Sequence, residues 1–157
     1  MNAYRAKPLS FPWPPFIYGL AIITALVADA VIQIPIPGLR SPYFWTLGAA
    51  LTLLAVWLDL WAMKTLLDRR ATVMPHRRSV HLMTTGPFRY TRNPIYLGYT
   101  LVTVGSALLT GNPWLLVAAL AATVATDYGA IRHEELHLLS RFGCEFEFYC
   151  RHTRRWL

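Results

Sequence analysis

Near the C-terminus the stretch IRHEELHLLSRFG, Ile131 to Gly143, sets His133 and His137 four residues apart, with Glu134 and Glu135 between them. On a helix, residues i and i+4 share a face, so two imidazoles at this spacing reach one metal ion while the adjacent glutamate activates a bound water. That is the chemistry of a zinc-dependent membrane protease. It needs a third ligand, and His152, Glu145 and Asp127 are candidates without a motif. The pattern fixes only three residues, and an amphipathic segment rich in His and Glu produces it by chance. Adjacent glutamates on a helix point about 100° apart, so at most one of Glu134 and Glu135 is expected to look directly into a site.

A second chemical stretch is TTGPFRYTRNPIYLGY, Thr84 to Tyr99. Asn93 followed by Pro94 predicts a helix start, because asparagine caps free amides and proline suits the first helical position. The amides of Ile95 and Tyr96, with Arg92 beside them, then offer a seat for a carboxylate or phosphate. Gly98 and Gly105, seven residues apart on one side of the helix, permit close approach of another helix or of a ligand. Gly86-Pro87 reads as a turn, and Tyr90 and Tyr96 fit an interfacial aromatic belt equally well.

The elements that must position these residues are membrane helices. Of 157 residues, 55% are hydrophobic and 15% charged, against roughly 25% charged in an average soluble domain. Apolar runs fall at about 16–34, 44–67, 95–110 and 114–131. A hydrocarbon core of about 30 Å takes around 20 helical residues, so the first two are full spans and the last two are short. Gly111-Asn112-Pro113 concentrates turn formers between spans three and four and predicts a helical hairpin. The expectation is an all-α integral membrane protein of about four transmembrane helices forming one domain over 1–157, with a loop at 68–94 and a tail at 132–157 carrying an amphipathic helix that closes near Gly143.

The net charge of +7 is distributed as in a membrane protein rather than as a nucleic-acid surface. Arg69, Arg70, Arg77, Arg78, Arg89 and Arg92 crowd the middle loop, and Arg132, Arg141, Arg151, Arg154 and Arg155 occupy the tail, whereas the opposite connections carry only Arg40. The positive-inside pattern places the middle loop, the tail and both termini in the cytoplasm, as in a bacterial inner-membrane protein. Membrane lipids are the expected anionic neighbours, and no nucleic-acid partner is expected. Ala28-Asp29-Ala30 imitates a signal-peptidase site but is read as part of a retained span. Asp59 and Asp127 lie late in spans two and four, near one face, where each faces either a cavity or a neighbouring arginine. Cys144 and Cys150, in the tail, are expected to be free thiols.

Together, the GPFRYTRNPIYLG stretch (Gly86 to Gly98), the hairpin GNPW (Gly111 to Trp114), IRHEELHLLSRFG and the closing Tyr149 to Leu157 make the chain resemble the isoprenylcysteine carboxyl methyltransferase family. The small bacterial members are the nearer likeness and the phospholipid N-methyltransferases the more distant one. The likeness runs from Thr72 onward; the first two spans match only in being hydrophobic. It implies S-adenosylmethionine at the cytoplasmic end of the bundle and an apolar or lipidated acceptor arriving from the bilayer. It further implies catalytic roles for Glu134, Glu135 and Arg92. The cofactor would be bound by those three residues together with Gly86, Pro87, Tyr90, Asn93, Pro94, Tyr96, Gly98, Tyr149 and Arg151, and no metal is implied. Asn93 stands where many relatives have histidine, and Phe146 where a tyrosine is usual. The resemblance makes the H-E-x-x-H accidental. Beside it stand the zinc protease, a nicotinamide-dependent reductase of related architecture and an inactive relative.

Overall fold

A computed structural model describes residues 13–68 and 82–156, so Arg69, Arg70, Arg77 and Arg78, on which part of the charge asymmetry rests, lie outside the described residues. The described chain forms helices α1 (Trp13–Val31), α2 (Pro42–Asp68), α3 (Pro94–Thr110), α4 (Pro113–Thr126), α5 (Arg132–Phe142) and α6 (Cys144–His152). A 3-10 turn, Gly86–Arg89, precedes α3, and a π-helical turn, Asp127–Ile131, joins α4 to α5. Each of α1 to α4 has proline in its first turn, at Pro14, Pro42, Pro94 and Pro113. There the missing amide costs nothing and the fixed φ suits the helix. The protein is an all-helical membrane protein. Trp13–Val31, Pro42–Asp68 and the continuous Pro113–Phe142 are long and apolar enough to cross a bilayer, and Pro94–Thr110 is a shorter apolar helix.

The α3–α4 hairpin is built by the three residues that suggested it. Gly111 ends α3 with φ 68°, in the left-handed region. Asn112 then caps α4 by accepting from the Trp114 amide at 2.9 Å, and Pro113 begins the helix. One difference from expectation follows. The apolar run of α4 and the amphipathic segment are a single helical rod rather than a span and a separate surface helix, since nothing between Pro113 and Phe142 interrupts the backbone except the π turn. The rod closes at Phe142, where Gly143 turns the chain with φ 50° into α6.

Side-chain size organises the packing. Gly48, Ala55 and Ala62 form a buried stripe on α2, and Gly98 and Gly105 form its counterpart on α3. A seven-residue repeat keeps one stripe toward a neighbouring helix, and small residues let the backbones close up. A Cβ at Gly48 would stand 2.8 Å from the Gly105 carbonyl oxygen. The sequence of contacts, Gly48 to Gly105, Asp59 to Gly98 and Thr65 to Gly86, makes α2 and α3 antiparallel. On the other side α1 packs on α4, with Ala25, Ala107, Leu115 and Ala118 as a core cluster. Tyr18, buried in α1, joins Thr100 of α3 (2.6 Å) and Thr123 of α4 (3.2 Å) through its hydroxyl, tying three helices at one level. Leu20, Leu53, Leu60 and Leu120 point outward, the arrangement of side chains solvated by hydrocarbon.

Candidate functional site

The motif and the tail, about 60 residues apart, are stitched together by backbone pairing. In the motif, the 3-10 turn starts at Gly86 with φ 63°, where an added Cβ would strike the Thr65 side chain of α2. Pro87 is buried, and its carbonyl accepts from the amides of Tyr90 (3.0 Å) and Thr91 (3.2 Å). The tail then lies alongside. Thr91 forms a parallel bridge with Arg154, and the Arg92 amide donates to the Arg154 carbonyl at 3.0 Å. The Arg155 carbonyl accepts from the Thr91 hydroxyl (3.1 Å) and from Asn93 Nδ2 (2.9 Å). Tyr149 of α6 donates to the Phe88 carbonyl at 2.6 Å. Burial pushes this phenol's pKa well up, so it serves as a neutral donor.

Asn93 occupies the cap position of α3, but its side chain makes no capping bond. This corrects the expectation of an asparagine cap: the tail's carbonyl takes the side-chain amide instead. The first amides of α3 lose that competitor. They remain a region of partial positive charge next to Arg92.

Both glutamates enter the site, against the expectation that at most one does. They do so with different neighbours, as their angular separation requires. Glu134 accepts from the Tyr96 hydroxyl at 3.1 Å. Glu135 takes Arg92 Nη2 at 3.3 Å and a two-pronged contact from Arg155, Nε at 3.1 Å and Nη2 at 2.6 Å. Arg155 extends Nη1 to Asp127 at 3.3 Å, and Asp127 also meets Arg132 Nε at 3.5 Å and Trp156 Nε1 at 3.3 Å. Hydrogen bonding to Glu135, above all, holds the Arg155 guanidinium above its already high pKa, so it stays charged. Arg92 also donates to the Cys150 sulfur, while its buried Nε has no partner among the described residues. The π turn opens the ladder at Asp127 and sets how Glu134 and Glu135 face the bundle; such turns recur at functional sites.

A shallow cleft of about 480 Å³ lies here, walled by Arg92, Thr123, Val124, Asp127, Tyr128, Arg155 and Trp156. Of the residues singled out in the sequence, the structure brings Arg92, Asn93, Tyr96, Glu134, Glu135 and Tyr149 together, with Pro94 buried at the start of α3. It leaves four elsewhere. Tyr90 is 66% exposed and lies against Trp61, and Arg151 is exposed on α6. Gly98 is covered by the Asp59 carboxylate, and Gly86 by Thr65. Arg155, Trp156 and Thr91 were missed. The only sequence signal for Arg155 was its place in a basic tail, where it resembles Arg151 and Arg154. Asp127 is paired with arginine, one of the two situations expected for it. Among the described residues no group of three or more His, Cys, Asp and Glu could hold a metal ion, so the H-E-x-x-H gains no third ligand from them.

A helical membrane bundle with a motif-and-tail polar cluster at one end defines the class. Residues 43–145 match the family model described as phospholipid methyltransferase, and the chain belongs to that family. The match takes in α2 from Tyr43 onward, which motif reading could not include because that helix offers only hydrophobicity. It ends before the closing tail. Among curated proteins, the chain is similar to the nickel-cobalt-cadmium resistance protein NccN of Alcaligenes xylosoxydans xylosoxydans, with 40% identity over 77 residues. That alignment covers 49% of this chain and 36% of NccN, so the chain spans about a third of the relative's length. No solved structure matches the chain.

Proposed function

We propose that this chain is an integral membrane methyltransferase that uses S-adenosylmethionine and acts on an apolar or lipid-like acceptor. The observation that carries the reading is the convergence of three segments remote in sequence, Arg92–Tyr96, Asp127–Glu135 and Tyr149–Trp156, on one polar cluster at the end of an apolar bundle.

The residues present fit the cofactor. Arg155 and Arg92 neutralise Glu135, whereas among the described residues no arginine pairs with Glu134, whose hydrogen-bond partner is Tyr96. Glu134 is therefore the carboxylate left to face a sulfonium, with the Tyr96 ring beside it. Arg92 Nε and the start of α3 would hold the methionine carboxylate. S-adenosylmethionine, when bound, supplies an electrophilic methyl group. Its transfer is an in-line displacement, for which the surrounding residues provide alignment and exclusion of water. Val124 and Tyr128, both exposed on the cleft wall, give an apolar acceptor an approach from the bilayer side. With the positive-inside pattern, the cluster, the middle loop and both termini lie in the cytoplasm of a bacterial inner membrane.

Calorimetry of the detergent-purified protein tests the reading. S-Adenosylmethionine and its demethylated product should both bind, and an Arg92→Ala, Asn93→Ala double variant should bind neither. Unchanged affinity in that variant removes the placement. Stoichiometric zinc lost on substitution of His133 and His137 would instead favour the protease.

A further inference from the structure

At the opposite end of the bundle, a second cavity of about 550 Å³ lies among the end of α1, the loop after it and the end of α3. Its wall includes Asp29, Gln33, Ile34, Ile36, Arg40 and Gly111. α3 begins at the Arg92 cluster and ends at this cavity after 17 residues, a rise of about 26 Å. The two sites are therefore separate.

Asp29 is a half-buried carboxylate in an otherwise apolar helix, and an ionisable group in such a helix is costly without a partner. Arg40 is placed by the fold. Its side chain runs over Gly111, where an added Cβ would stand 2.6 Å from Arg40 Cγ. Among the described residues neither the Asp29 nor the Arg40 side chain has a hydrogen-bond or ion-pair partner, and though they share one cavity they do not pair with each other. A carboxylate and a guanidinium thus stand across a gap. Ile34 and Ile36, on the same wall, are 43% and 44% exposed, and the loop is tied down by Trp114 Nε1 donating to the Ile32 carbonyl at 2.8 Å.

We propose that this cavity seats the headgroup of a zwitterionic phospholipid, with its ammonium group at Asp29, its phosphate at Arg40 and its chains beginning along Ile34 and Ile36. An isolated anion would meet Asp29 and an isolated cation would meet Arg40. A ligand carrying both charges a few bonds apart satisfies the two walls together. The bilayer presents that chemistry at the end of every spanning helix, and the exposed isoleucines extend the polar seat into apolar surface.

The test uses phosphatidylcholine, whose nitrogen is already fully methylated and so cannot turn over at the other end, and the Asp29 and Arg40 variants separate retention in this cavity from product held at the methyltransferase site. Native mass spectrometry of the full chain, released from micelles doped with equal phosphatidylcholine and phosphatidylglycerol, should show phosphatidylcholine favoured by about threefold or more, the size of one modest charge contact. Asp29→Asn should abolish that preference. Arg40→Gln should reduce retention of both lipids, and Arg40→Lys should keep the preference. Should Arg40→Gln lose its helical circular dichroism, the Asp29→Asn and Arg40→Lys results decide. Chain-free glycerophosphocholine should not compete. Equal retention of the two lipids by the unmodified protein, or a preference that survives Asp29→Asn, overturns the proposal. Full competition by glycerophosphocholine would assign the cavity to a soluble zwitterion and overturn it equally.

Discussion

The two adjacent glutamates differ in what already balances their charge, and that difference predicts different phenotypes. Glu135 is neutralised by Arg92 and Arg155, and through Arg155 it holds the tail; Glu134 meets a tyrosine hydroxyl. Glu134→Gln should therefore weaken binding of S-adenosylmethionine by about tenfold or more, the effect of losing one charge-assisted contact, with little change in melting temperature. Glu135→Gln should do the reverse in part, lowering the melting temperature because it loosens Arg155 and leaves Arg92 without its carboxylate. Calorimetry and thermal unfolding on the same preparations separate the two. Equal affinity losses with equal unfolding shifts would mean that the glutamates act as one undifferentiated pair. The proposed chemistry does not use His133 and His137. Replacing both with alanine should leave donor binding within about twofold of the unmodified protein, a change below about 0.5 kcal/mol, because the proposed donor site takes neither imidazole.

At the scale of elements, the glycines of α3 serve helix packing. Gly98 lies under Asp59, and Gly105 faces the backbone of Gly48 and the side chain of Thr52. Gly105→Leu must therefore push α2 away, and overpacking of this kind costs about 1–3 kcal/mol or more. The expected readout is a clear drop in thermal stability in detergent. An unchanged melting temperature would show that the α2–α3 contact is looser than its spacing indicates. What was legible in the sequence at this scale followed from local physics: proline starts, the Gly111-Asn112-Pro113 corner and the apolar lengths all act within a few residues. The π turn was not legible. DYGAI has no signature separating it from ordinary helix, yet it sets the directions of Glu134 and Glu135. The role of Asn93 was misread for a related reason. Its capping propensity is local, but the group that orients its side chain, the Arg155 carbonyl accepting from Nδ2, lies 62 residues away.

Across the whole molecule, the candidate site exists only if the tail stays docked. The membrane helices supply Tyr96, Asp127 and the glutamates, but one wall of the cleft is Arg155 and Trp156, held by contacts to Thr91, Asn93, Glu135 and Asp127. The two backbone-carbonyl contacts and the Trp156 contact to Asp127 survive loss of the Arg155 side chain; the Arg155 contacts to Glu135 and Asp127 do not. Its guanidinium is partly exposed, with 32% of the side chain accessible, so its contribution falls between that of a surface pair and a buried one, about 1–3 kcal/mol. Arg155→Ala should thus leave the bundle folded while raising the population of undocked tail by roughly tenfold, one decade for each 1.4 kcal/mol. Limited trypsin digestion in detergent reads this directly, because Arg151 and Arg154 become cleavable when the tail lifts. The tail of the unmodified protein should be cut slowly, and more slowly still with the demethylated cofactor product present. The variant should be cut faster and protected less. Identical cleavage rates in the two proteins would show that the tail is held by its other contacts and that the Arg155 carboxylate bridge plays no part in closing the site.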